Sequence, residues 1–174
     1  QLDNYVNESM PEIAGVKCGK PMTPEQAGGK NVNPNYDSGD IGYKLNCSAC
    51  AAVHKAREIG YNIQALPATD KDGIEAKMLR KYPYYAYEMP NNAVMESPTK
   101  YRSNNAAECL QNVEKHVKPN EKYIFWYQPI DGEDKLAHVI EVYRNKNNDL
   151  EFYDGQNGMT YGKEYINKIK FKND

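Results

Sequence analysis

The chain has 174 residues and a mass of 19.8 kDa, a length that predicts one domain able to bury a real core. Its net charge of −2 and isoelectric point near 6.0 exclude an electrostatic footprint for nucleic acid or an anionic membrane surface. Hydrophobic residues reach 40%, mean hydropathy is −0.88, and the longest apolar run, "YIFWY" at Tyr123 to Tyr127, is far too short to span a bilayer. Fifteen tyrosines and one Trp supply much of the expected core, because a tyrosine ring can be buried while its hydroxyl reaches a partner. The chain opens on Gln1 rather than Met and shows no signal peptide, so a processed or excised fragment is expected.

Residues 1–42 are rich in Gly, Pro and Asn and have no sustained period, which reads as an irregular leader with one short helical turn. Residues 43–174 are expected to form the single folded domain. Asn46 can cap a helix from about Cys47 to Glu58, with Gly60 as its stop. Cys50, Val53, His54 and Arg57 share one face of that helix; Ala49, Ala52 and Ala56 share another. "YNIQAL" alternates apolar and polar residues and predicts a half-buried strand ending at Pro67. A second helix is expected over Asp72 to Lys81, then a Tyr- and Pro-rich loop, "YPYYAYEMPNNAVMESP", long enough to be functional or a partner surface. Caps, period and a terminal Pro predict a helix over Asn105 to Val117. "KYIFWYQPI", "KLAHVIEVYR" and "LEFYDG", separated by turns at "DGED" and "NKNND", form an antiparallel meander, to which "YINKIKF" would add a strand. Helices first and a sheet after them is an α+β layout.

The four cysteines, Cys18, Cys47, Cys50 and Cys109, are too few for a dense disulfide framework at this length. A cysteine nucleophile needs a lowered thiol pKa, a base, and a group that fixes the base. Cys47, just after the cap residue, would face the unpaired N–H groups and dipole of the helix start, while Cys50 lies almost one turn in. Of the three His, His54 shares the cysteine helix and reads as partly buried or surface, and His116 ends another helix. His138 lies in a strand among apolar neighbours. The next strand ends in Asp154, sixteen residues on, and a hairpin turn near Asn147 would bring the two side chains within reach. Cys47, His138 and Asp154 are the residue types a Cys–His–Asp triad requires.

Two other readings of the cysteines stay open. A C-x-x-C at a helix start also fits a thioredoxin-like redox pair, although no strand precedes it in a βαβ pattern. Cys47, Cys50 and His54 have zinc-ligand spacing, and Cys18 or Cys109 could supply a fourth ligand to a zinc-stabilised module. For Cys50 and Cys109 the plainer reading is a small core residue, and Asp154–Gly155 is also good turn chemistry.

The stretch "NPNY…GYKLNCSACAAVHKAREIGYNIQALP", with the later "HVIEVYRNKNNDLEFYDGQNG", resembles the papain-fold toxin domains of bacterial polymorphic toxins and phage head-associated proteins. Those domains carry an NC-x-x-C helix start, a following run ending in R-x-x-G-(Y/F)-x-V-x-A-x-P, and a His strand followed by D-x-Q-x-G. The likeness covers about Met22 to Pro67 and His138 to Gly158. Ala137 stands where the family carries Gly before its His, and the helix residues "SACAAVH" are smaller than usual.

The resemblance implies a papain-like fold, its N-terminal cysteine helix packed on an antiparallel sheet that bears the His and Asp. It implies Cys47 as nucleophile, His138 as base, Asp154 as orienting acid, and Asn46 and Gln156 as polar supporters of the oxyanion. The activity would be thioester chemistry on protein amide bonds, as protease, glutamine deamidase or transglutaminase, with no cofactor and no metal. The implied partners are a protein substrate, an immunity protein over the cleft, and a fused delivery module or phage structural protein, with the domain secreted or delivered into the cytoplasm of a target cell; nucleic acid and membrane are not among them. A non-enzymatic module that keeps the fold and docks through its Tyr/Pro loop is the main rival.

Overall fold

The computed structural model describes residues 18–68, 101–127 and 138–171. The expected helix at Asp72 to Lys81, the Tyr/Pro loop after it and the "DGED" turn lie outside the described residues. The fold is α+β: the described residues form a few helices and an open antiparallel sheet of four strands in the order β1-β2-β3-β4. The chain divides into two compact units. The first is Gln1–Pro98 with Gly155–Gly158; the second is Thr99–Asp154 with Met159–Asp174.

In the first unit, α1 (Pro24–Ala27) is one turn long and is held by a capping box. Thr23 Oγ1 accepts from Gln26 N (3.3 Å), and Gln26 Oε1 accepts from Thr23 N (3.0 Å). Helix α2 (Cys47–Ile59) buries Cys50, Ala51, Val53, His54, Ala56 and Arg57. It stops at Gly60, whose φ of 119° is left-handed and whose N–H returns to the carbonyls of Ala56 and Arg57. The next segment, 61–67, is not the expected strand. Its alternation is real, but Ala65 N donates to Val32 O (2.8 Å) and the Ile63 carbonyl accepts from Arg57 Nη1 (2.8 Å), so these groups are taken outside any ladder.

In the second unit, α3 (Ala106–His116) is capped by Asn105, whose side chain accepts from Glu108 N (2.9 Å). Strands β1 (Lys122–Tyr127), β2 (His138–Arg144), β3 (Leu150–Asp154) and β4 (Met159–Tyr161) follow in register. Tyr127 pairs with His138, Phe125 with Ile140, Tyr123 with Val142, and Val142 with Phe152. The β2–β3 turn is closed by Asn145 N to Asp149 O (2.9 Å), with Asn148 at a φ of 66° that asparagine tolerates.

Side chains from this sheet face form the core with Cys109, Val113 and Val117 of the α3 region and with Tyr165 and Ile166. The latter two lie in a 3-10 helix, Lys163–Lys168, where "YINKIKF" had been expected to add a strand. Tyr165, Ile166 and Ile169 are buried at helical spacing, so the apolar period at this place is three to four and not two.

Candidate functional site

Cys47 is the first residue of α2, half-buried, and none of the four cysteines is in a disulfide. Asn46 occupies the N-cap position, yet its side chain makes no capping bond. It is buried and turned inward, where its Nδ2 donates to Asn33 Oδ1 (3.1 Å) and Leu66 O (3.0 Å). Its Oδ1 accepts from Asn33 Nδ2 (3.3 Å), from the Cys50 thiol (3.3 Å) and from Gln156 Nε2 (3.5 Å). Asn33, equally buried, also donates to the carbonyls of Tyr43 (2.9 Å) and Gln156 (2.7 Å). Two facing amides thus tie the start of α2 to the segments around 33, 43, 66 and 156. Burying amides is tolerated because their hydrogens and oxygens find partners.

Farther along α2, buried Arg57 donates to the carbonyls of Gln26 (2.7 Å), Ala27 (2.9 Å) and Ile63 (2.8 Å) and to Asn62 Oδ1 (3.1 Å). His54, expected to be partly buried or at the surface, is buried, with Glu58 Oε1 at 4.0 Å.

In the second unit, His138 Nε2 lies 2.8 Å from Asp154 Oδ2. The β2–β3 register makes the two diagonal neighbours on one sheet face, which is how adjacent strands bring long side chains together. Asp154 is buried, while the His138 side chain keeps 20% of its exposure. With a proton on Nε2 shared with the carboxylate, Nδ1 becomes the basic nitrogen of the ring. The Tyr127 ring meets the imidazole edge to face (centroids 5.7 Å apart, 84°), and its hydroxyl is 3.0 Å from that of Tyr165. Burial first, then the Tyr127 hydrogen bond and the Asp154 charge, push the Tyr165 hydroxyl far above the ordinary tyrosine value, so it stays protonated.

Of the residues expected from the sequence, Asn46, Cys47 and Gln156 belong to the first unit, where Asn46 and Gln156 meet at the start of α2. His138 and Asp154 belong to the second, where they are hydrogen-bonded. Asn33, Tyr127 and Tyr165 were not anticipated. Asn33 had a signal in the "NPNY" stretch of the resemblance, whereas the two tyrosines carry no local mark among fifteen. Cys109 is buried, and burial raises its thiol pKa. His116 stacks on Tyr101 with centroids 3.8 Å apart. Among the described residues no group of three or more His, Cys, Asp or Glu is placed to hold a metal ion, and no helix is long and apolar enough to cross a membrane.

Compared with protein-family models, with curated proteins and with solved structures, the chain matches none.

Proposed function

We propose that this chain is a papain-like cysteine hydrolase, a toxin-type effector domain that attacks protein amide bonds through a thioester. The observation that carries the reading is the 2.8 Å pairing of His138 with a buried Asp154. A second, separate observation supports it: a cysteine at the first position of a thirteen-residue helix. His138 takes the Cys47 proton, and Asp154 holds the ring and stabilises the imidazolium. The thiolate adds to the amide carbonyl, and the oxyanion is held by the Cys47 N–H and a side-chain amide, each such donor worth about 3 kcal/mol. Gln156 is the side chain we assign to that task. The Asn46 amide hydrogens are directed at Asn33 and Leu66, so Asn46 supports the site by fixing the helix start. Ammonia or an amine then leaves, and water or a second amine resolves the thioester.

The test is the alkylation rate of each cysteine by iodoacetamide across mildly acidic to neutral pH, for the native chain and for His138→Ala. Cys47 is expected to react fastest at low pH and to lose that advantage in the variant. Uniformly slow alkylation, or a profile indifferent to His138, overturns the triad. If the pair is present, ammonia release from glutamine-rich proteins against new N-termini separates deamidase from protease.

A further inference from the structure

The proposed chemistry uses one of the two cysteines at the start of α2. The other, Cys50, is 1% exposed, and its thiol donates to Asn46 Oδ1 (3.3 Å). Asn46 immediately precedes Cys47, so the Cys50 side chain is turned back along the helix toward the end that carries Cys47. Helix geometry puts residues three apart at a Cα separation of about 5 Å, inside the roughly 4.4–6.8 Å that disulfides span. The Cβ separation of about 5–6 Å is wider than a disulfide prefers, so the first turn must tighten on bonding. It can do so there, because the Cys47 N–H, as a first-turn group, stands outside the intrahelical ladder.

We infer that Cys47 and Cys50 are a reversible redox pair, in which Cys50 resolves the oxidised nucleophile. The pairing rests on the proposed function in taking Cys47 as the more reactive thiol, and the silencing that follows rests on it in taking Cys47 as the nucleophile. The oxidant is hydrogen peroxide. The Cys47 thiolate attacks one peroxide oxygen, the O–O bond breaks, and hydroxide leaves, giving a sulfenic acid. The Cys50 sulfur then attacks the Cys47 sulfur, the S–O bond breaks, and the departing hydroxide carries off the Cys50 proton as water. Two thiols lose two electrons and one peroxide becomes two waters. The disulfide masks the nucleophile, and a low-molecular-weight thiol restores it by exchange. The chain is thereby silent in an oxidising medium and active in a reducing one.

Both cysteines fall in one tryptic peptide, Leu45–Lys55. The native chain is treated with limiting hydrogen peroxide, blocked with iodoacetamide and digested without reduction. That peptide is expected to be unalkylated and lighter by two hydrogens, and to take two labels after dithiothreitol. In the oxidised chain Cys47 alkylation should fall to the background of buried Cys109. In Cys50→Ser, which keeps a hydroxyl donor for Asn46, peroxide raised to excess should carry Cys47 past the sulfenic acid to sulfinic acid that dithiothreitol does not reverse, while the native chain under the same excess stops at the disulfide; Cys50→Ala should behave as Cys50→Ser does. The inference is overturned by pairing of Cys47 with Cys18 or Cys109, by sulfinic acid accumulating in the native chain, or by full recovery in the Cys50 variants. Loss of the triad would show separately, as His138-independent alkylation of the unoxidised chain.

Discussion

Arg57 brings a guanidinium to 5% exposure and directs it at three carbonyls and one side-chain oxygen, fastening α1 and the 62–63 segment to α2. Its fork geometry serves several acceptors at once, which a lysine ammonium cannot copy. Arg57→Met keeps the stem and strands those oxygens, so the unfolding free energy should drop by about 2–4 kcal/mol, read as a shift in the urea midpoint. Arg57→Lys is expected to recover only part of it. Nearby, a Cβ on Gly60 would sit 2.5 Å from the Gly19 carbonyl oxygen, at a φ of 119° that already favours glycine. The Gly60 stop was plain from its place after a helical period. Arg57 read only as one member of a helix face, because its partners lie as far as 31 residues away in the chain.

Among the elements, the helices end where local chemistry says they should. Asn105 begins α3 with a side-chain bond to Glu108 N, and Asn105→Ala should cost about 1 kcal/mol, measurable by thermal melting of the full chain. At the other end Arg144 receives the helix, donating to Val117 O (2.8 Å) and Glu114 O (2.9 Å) and pairing with the Glu114 carboxylate (2.8 Å). Asn46 shows the limit of cap reading. It stands at the N-cap of α2, but a buried partner, Asn33, outcompetes the helix for its side chain. The expected strands over 61–66 and 165–171 failed for different reasons. In the first, no strand among the described residues pairs with the alternating segment, whose Ala65 N–H goes instead to Val32 O. In the second, Gly162 and the Glu164 side chain, which accepts from Gly162 N (2.8 Å), open a helical turn.

Taken as a whole, the chain places several tyrosines where the phenolate form is disfavoured. Burial leads in raising both Tyr143 and Tyr165, reinforced by Glu151 at Tyr143 and by Tyr127 at Tyr165. A group whose pKa rises on folding contributes stability that is fully present below its unfolded value, here 10.0, and is lost as pH climbs toward the folded value. Urea midpoints should therefore be level at neutral pH and fall at alkaline pH beyond about 10, where unfolding releases these protons. Tyr165→Phe should shallow that fall. An alkaline limb unchanged by the substitution would remove Tyr165 as its source.

What the sequence determined alone is what short-range physics encodes. This includes the bounds of α2 and α3, the order of β1 to β3, and the meeting of His138 with Asp154, two residues on one face of a tight hairpin. Periodicity, caps and turn residues act over a few positions, so one strand of text suffices to read them. Tertiary structure alone decided that 61–67 forms no strand and that Lys163–Lys168 is helical. It also decided that Arg57 and Arg144 serve carbonyls and that Asn33 and Asn46 pair in the interior. The Gly155–Gly158 turn, leaving the sheet, groups with the first unit. Asn33 and the Gln156 carbonyl it holds are 123 residues apart. No propensity links such positions; only the need to satisfy buried polar groups once the chain has closed around them does.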